Sequence, residues 1–193
     1  MMQRGCSRWA ARCGLLALSL LAASASGFEG GRPAPPIAAQ GTLQAAFAPW
    51  DDVEGLVADT IGSARRQVLV QAYLLTSKEI AASLIDAKRR GVDVRVLVDA
   101  EQDARVPASK VRDLVAAGIP VWQETRYQSA HNKVIVIDPA TPGATVITGS
   151  YNFTWSAQHK NAENVLIARN NPALAAQYAH NWERQRQQAS PWK

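Results

Sequence analysis

Two spacings of apolar residues alternate along this chain. Residues 68–74, 92–98, 119–122 and 134–137 are short runs rich in Val, Ile and Leu, the mark of strands shielded on both faces. Between them, apolar residues recur at helical spacing: Val53, Leu56, Val57, Thr60 and Ile61, then Ile80, Ala81, Leu84 and Ile85. Asp51 or Asp52 can cap the first of these helices, which runs to about Ala64. Ser77 can cap the second, which runs to Arg90 and is closed by Gly91. A strand over 42–47 precedes them, and a helix over 107–117 closed by Gly118 follows. Strands over 144–148 and 164–168 and a last helix from Pro172 to about Gln188 complete the order. Strand, helix, strand in succession implies right-handed crossovers and parallel pairing. The expected fold class is α/β, an α/β/α layered sandwich around a mixed, largely parallel sheet.

The first 25 residues have a different character. Arg4, Arg8 and Arg12 precede an apolar stretch of about ten residues, and Ala23, Ser24 and Ala25 offer a small-residue cleavage site. That stretch is well short of the roughly 20 residues a membrane span needs. Residues 1–25 are therefore expected to be a signal peptide for export to the periplasm or beyond, with no stable membrane insertion after its removal. Residues 26–41, rich in Gly, Pro and Ala, are expected to be a flexible lead-in, and residues 42–190 one catalytic domain.

Removing the leader changes two bulk readings. Both cysteines, Cys6 and Cys13, leave with it, so neither a disulfide nor a thiolate metal site is expected in the mature chain. Three of the 21 Lys and Arg residues also leave, against none of the 16 acids, and the formal charge falls from +5 to roughly +2. Bulk charge then says little about a polyanionic partner, and the argument passes to individual cations.

The chemistry concentrates between residues 131 and 164. His131, Lys133 and Asp138 stand as H-x-K-x4-D, followed by Gly149, Ser150, Tyr151 and Asn152, then by Asn161, Ala162, Glu163 and Asn164. Side chains two apart on a strand share a face, so His131 and Lys133 are expected to enter one pocket. These elements resemble the HKD signature of the phospholipase D superfamily, its G-S-x-N turn and its acidic N-x-E-N element. The likeness covers most of the chain after Phe47 and is closest to the small bacterial endonucleases that carry one signature per chain. A longer gap than usual separates Asp138 from Gly149; residues 139–143 read as a turn insertion.

The resemblance implies hydrolysis of a phosphodiester through a phosphohistidine on His131, with Lys133, Ser150 and Asn152 holding the phosphate. Glu163 and Asp138 are both candidates to bond the other ring nitrogen of His131. The resemblance favours Glu163, and Asp138, at the far end of its strand, reads more readily as structural. With three histidines, no mature cysteine and no carboxylate pair at metal-ligand spacing, no metal and no cofactor is expected. The leaving oxygen needs an acid, and one chain offers one suitable histidine. Relatives with two signatures draw the second histidine from their other half, so a two-fold homodimer sharing one pocket is expected here.

The leading expectation for substrate is nucleic acid, DNA or alternatively RNA, gripped through its backbone with little sequence preference. Lys133, Arg126 and Arg169 are candidate backbone contacts, and Arg126, Tyr127 and Trp155 candidate stacking groups. The alternative is a lipid phosphodiesterase using interfacial tryptophans. A catalytically dead nucleic-acid-binding module is a third reading.

Overall fold

The computed structural model describes residues 31–193. The expected signal peptide lies outside the described residues, and residues 31–41 carry no helix or strand. From there the order is β1 (Thr42–Ala48), α1 (Val53–Gly62), β2 (Gln67–Ala72), α2 (Lys78–Arg89), β3 (Asp93–Asp99), α3 (Ala100–Arg105) and α4 (Val111–Ala116). It continues through β4 (Val121–Glu124), β5 (Lys133–Ile137), β6 (Thr145–Gly149), α5 (Trp155–His159), β7 (Glu163–Arg169), α6 (Pro172–Arg186) and β8 (Ser190–Pro191).

The strands form one eight-stranded sheet in the order β1-β7-β6-β5-β2-β3-β4-β8. It is mixed, as expected, but only β2–β3 and β3–β4 pair in parallel. The other five pairings are antiparallel, which corrects the expectation of a largely parallel sheet. The cause lies in the connections. Only the α2 segment and the α3–α4 segment join neighbouring strands by a crossover; β5, β6 and β7 follow one another as a meander, which needs no crossover helix.

Local signals explain the helices that position the site. Asp52 accepts the amide of Gly55 at 2.9 Å and caps α1, and the Ser77 hydroxyl accepts that of Ile80 at 3.0 Å and caps α2. Gly91 follows α2 at φ 89, a conformation that admits glycine at little cost. The helix expected over 107–117 begins only at Val111. The preceding α3, AEQDAR, buries no side chain and so leaves no apolar period in the sequence.

Two apolar layers sandwich the sheet. On one face, α1, α2 and α4 pack Val57, Ile61, Ile80, Leu84 and Leu114 against Val68, Val70, Val96 and Ile135. On the other, α6 lays Ala175 and Trp182 over Leu69, Leu97, Val134, Val136 and Val146. Trp182 also donates to the carbonyl of Val70 at 2.9 Å, satisfying its indole within the core. Among the described residues, no helix is long and apolar enough to cross a membrane.

Candidate active site

One end of the sheet gathers the signature residues. Lys133 opens β5 opposite Ala72, the last residue of β2; Gly149 ends β6; and Glu163 opens β7 opposite Ala48, the last residue of β1. This is also the carboxyl end of the parallel strands β2, β3 and β4, where α/β sheets characteristically place their ligands. His131 does not lie in the strand, as the sequence suggests, but just before it. The ladder continues past the strand through the Tyr73 amide, which donates to the Asn132 carbonyl at 3.0 Å.

The pairing of His131 with Lys133 is direct. Lys133 Nζ lies 2.9 Å from His131 Nδ1 and donates to the His131 carbonyl, also at 2.9 Å. Both groups rest on Tyr73: the imidazole centroid is 4.2 Å from the phenol ring, and the ammonium 4.7 Å from its centre. His131 is exposed, whereas Lys133 is 6% exposed. Burial pulls the lysine down to about 8, against an opposing lift from the negative charge of Glu163. A cation held in this way, largely stripped of water, binds a phosphate more strongly than a solvated one.

The G-S-Y-N turn depends on close backbone approach. A Cβ at Gly149 would collide with the carbonyl of Asn164, the same carbonyl that accepts the amides of Ser150 at 3.1 Å and Tyr151 at 3.3 Å. The turn places Ser150 Oγ 2.5 Å from Glu163 Oε2, and the Asn164 amide donates to that hydroxyl at 3.1 Å. Glu163 Oε1 accepts from Asn161 Nδ2 at 3.0 Å. Asn152 keeps its amide oxygen buried with no hydrogen-bond partner; a phosphate, itself an acceptor, can be met only by the amide nitrogen of this side chain. Among the described residues, no group of three or more His, Cys, Asp or Glu is placed to hold a metal ion.

His131, Lys133, Ser150, Asn152 and Glu163 thus share one end of the sheet, and Asp138 does not. It sits five residues along β5 from Lys133, roughly 16 Å away at about 3.3 Å per residue. There, at φ 50, it accepts the backbone amides of Arg65, Arg66 and Gln67 at 2.9, 2.7 and 2.8 Å. The candidacy of Asp138 as a catalytic partner of the His131 ring is not met at this distance, and its placement agrees with the structural reading: it ties the α1–β2 loop to the sheet. Nor does a carboxylate bond the imidazole in this arrangement, since Glu163 faces Ser150 and Asn161 while Nδ1 faces Lys133. Arg169, a candidate backbone contact, lies at the opposite end of β7, where it donates to Gln44 at 2.8 Å.

The sequence reading left two contributors unassigned. Asn161 belongs to the matched N-x-E-N element, yet its hold on Glu163 appears only in three dimensions. Asp99, at the end of β3, accepts the amide of Ala130 at 2.7 Å, one residue before His131. Its only sequence signal is an N-cap before α3. Beyond the G-S-Y-N turn, α5 carries an exposed Trp155 with His159 tilted against it at 4.7 Å and Lys160 Nζ 5.2 Å above its ring.

Comparison with known proteins agrees with this arrangement. Residues 57–186 match the model of the cardiolipin synthase, PLD-like domain family. A phospholipase D from Rickettsia bellii is 40% identical over 136 residues, 70% of this chain and 65% of its own, so the match spans just under two thirds of that relative. A mitochondrial cardiolipin hydrolase from Xenopus laevis is 32% identical over 63% of this chain and 55% of its own. The crystal structure of Nuc from Salmonella typhimurium, a phospholipase D family member, superposes with TM-score 0.73 at 32% identity, covering 79% of this chain and 98% of that one. NucT from Helicobacter pylori shares the fold at TM-score 0.68 and 19% identity. With two thirds of its length under the family model and the signature residues gathered at one end of the sheet, the chain belongs to the phospholipase D-like family.

Proposed function

We propose that this chain is an exported phosphodiesterase, a metal-independent endonuclease acting on DNA, or alternatively RNA, through a phosphohistidine on His131. The observation that carries the reading is the buried Lys133 ammonium, 2.9 Å from the imidazole of an exposed His131. An incoming phosphodiester, doubly hydrogen-bonded by this cation and flanked by Ser150 and Asn152, draws the ammonium away from Nδ1 and frees the ring. A ring-nitrogen lone pair then attacks phosphorus, the bond to the leaving oxygen breaks, and that oxygen takes a proton from a second imidazolium. Water attacks the phosphohistidine in turn, the N–P bond breaks, and the water proton passes to the second imidazole.

That second imidazole belongs to the His131 of another copy in a two-fold homodimer. Supporting this, Leu43 and Phe47 of β1 and Leu166 of β7 are exposed at 68%, 51% and 39%, and Phe47 pairs with Asn164 beside the site. An apolar patch continuous with the pocket is the kind of surface a partner covers. Nucleic acid is favoured by Trp155, His159 and Lys160, an aromatic and cationic cluster beginning three residues after Asn152. Export rests on residues 1–25, with residues 42–190 as the catalytic domain.

The alternative is a lipid phosphodiesterase. The name phospholipase D carried by the Rickettsia relatives favours it, as does Trp50, 82% exposed beside β1. The deciding experiment offers plasmid DNA, RNA and phospholipid vesicles to the protein in excess EDTA. Nicked plasmid supports the nuclease, lipid turnover without nicking selects the alternative, and strict dependence on added Mg²⁺ refutes the metal-free scheme.

A further inference from the structure

Asp99 and Glu124 end the neighbouring parallel strands β3 and β4 and are direct partners in the register. Both are buried, at 3% and 4% exposure. The Asp99 carboxylate is fully engaged: one oxygen accepts the Gln102 amide at 2.9 Å and caps α3, and the other accepts the Ala130 amide at 2.7 Å. Ala130 is itself 4% exposed and immediately precedes His131. Glu124 has no such anchor. Its Oε1 is enclosed without a hydrogen-bond partner. A cavity of about 330 Å³, lined by Asp99, Glu101, Glu124, Thr125, Tyr127 and Gln128, borders the segment that leads to the histidine.

We propose that Asp99 is a positioning residue for His131, acting through the Ala130 amide, and that ionisation of Glu124 beside it weakens this hold. The inference rests on His131 being the attacking group. A charge-assisted bond from Asp99 to the Ala130 amide fixes the backbone from which the imidazole projects. With Glu124 neutral, Asp99 carries the only negative charge of the pair. Once Glu124 ionises, two buried carboxylates face each other across adjacent strands, and separating them or admitting water loosens the end of β3.

The surroundings favour a proton on Glu124 at moderately low pH. Burial first, and the Asp99 charge second, push its carboxyl up to about 7. Around it stand Glu101 from α3 and Tyr127 from the following loop. Across the sheet, Arg186 of α6 lies 5.6 Å from the Trp122 ring and is paired with Glu183. β8 brings no charged residue to the edge.

The test combines a pH–rate profile with an amide titration. Hydrolysis of bis(p-nitrophenyl) phosphate by the wild type should fall as pH rises through about 7, in kcat with KM little changed. Glu124→Gln, nearly isosteric, should abolish that limb and leave only a later one. Asp99→Asn should lower kcat by up to about 100-fold, the cost of a small misplacement of a reacting group. By NMR, the Ala130 amide of the wild type should titrate through the same pH and that of Glu124→Gln should not. A wild-type Ala130 amide that does not titrate, or identical profiles for wild type and Glu124→Gln, would overturn the proposal. Loss of all turnover with the amide titration intact would strike the assignment of His131 and leave the Asp99–Glu124 coupling standing.

Discussion

Replacing Asp138 by Ala separates a structural role from a catalytic one at a residue written into the signature itself. The carboxylate, 8% exposed, accepts three backbone amides between 2.7 and 2.9 Å. Alanine leaves all three donors without their partner, at about 1 kcal/mol each for partly buried groups, the low end of the usual penalty. It must also hold φ at 50, which costs an L-residue without a polar side chain about 1 kcal/mol more. The sum, about 4 kcal/mol, is a large fraction of the roughly 5–15 kcal/mol that stabilises a domain. At about 2–4 °C per kcal/mol for a chain of this size, Tm should drop by roughly 8–16 °C. Asp138→Asn tolerates the same backbone and keeps an acceptor oxygen, so it should lose about half as much. Thermal melts by circular dichroism give the stability, and initial rates at a temperature where each variant is fully folded give the chemistry. The expected result is a large fall in Tm with kcat within a few-fold of wild type. An unchanged melt accompanied by a loss of kcat of about 100-fold or more, typical of removing a proton-transfer group, would refute the reasoning.

Three further outcomes follow from the site. Lys133 is a cation below about 8, so turnover should decline as pH rises through that value; Glu163→Gln, which removes the charge that supports its proton, should move this limb to lower pH, and an upward shift when Glu163→Gln is added to a Glu124→Gln background, where the Lys133 limb stands alone, would contradict the assignment. Trp155→Ala should raise KM for single-stranded DNA by about 5- to 100-fold, the worth of one stacked base, while leaving bis(p-nitrophenyl) phosphate hydrolysis unchanged; equal effects on both substrates would place Trp155 in the fold rather than in binding. Mixing inactive His131→Ala chains with wild type should depress activity per wild-type chain if two copies share a pocket, and light scattering should give a mass near twice that of one chain; an active monomer would require another acid.

The amino-acid sequence by itself determined the alternation of strands and helices, because burial on both faces of a sheet demands unbroken β-branched runs and burial on one face of a helix demands a 3.6-residue period. Val68 to Ala72, Ile80 to Leu84 and Val134 to Ile137 carry those patterns without ambiguity. It also named His131, Lys133, Ser150, Asn152 and Glu163, since their spacing matches a signature, and the caps at Asp52 and Ser77, since capping is a local matter of side chain and backbone. The direction of strand pairing was only partly local: the seven residues between β5 and β6 are too few for a crossover, whereas the antiparallel pairing of β2 with β5 and of β1 with β7 joins segments far apart in the chain and was decided by the assembled sheet. The short helices α3 and α5 bury too little to leave a period, so only their tertiary setting reveals them.

The tertiary structure alone decided what each polar group of the signature does. It brought three amides of another segment to Asp138 at the far end of β5, and it turned Glu163 toward Ser150 and Asn161. It set Tyr73 beneath both His131 and Lys133, and Asp99 behind the backbone that carries the histidine, across sequence separations no motif spans. Hydrophobic periodicity specifies which face of an element is covered, whereas the partner of a buried charge is fixed by whichever strand end the packed sheet brings within about 3 Å.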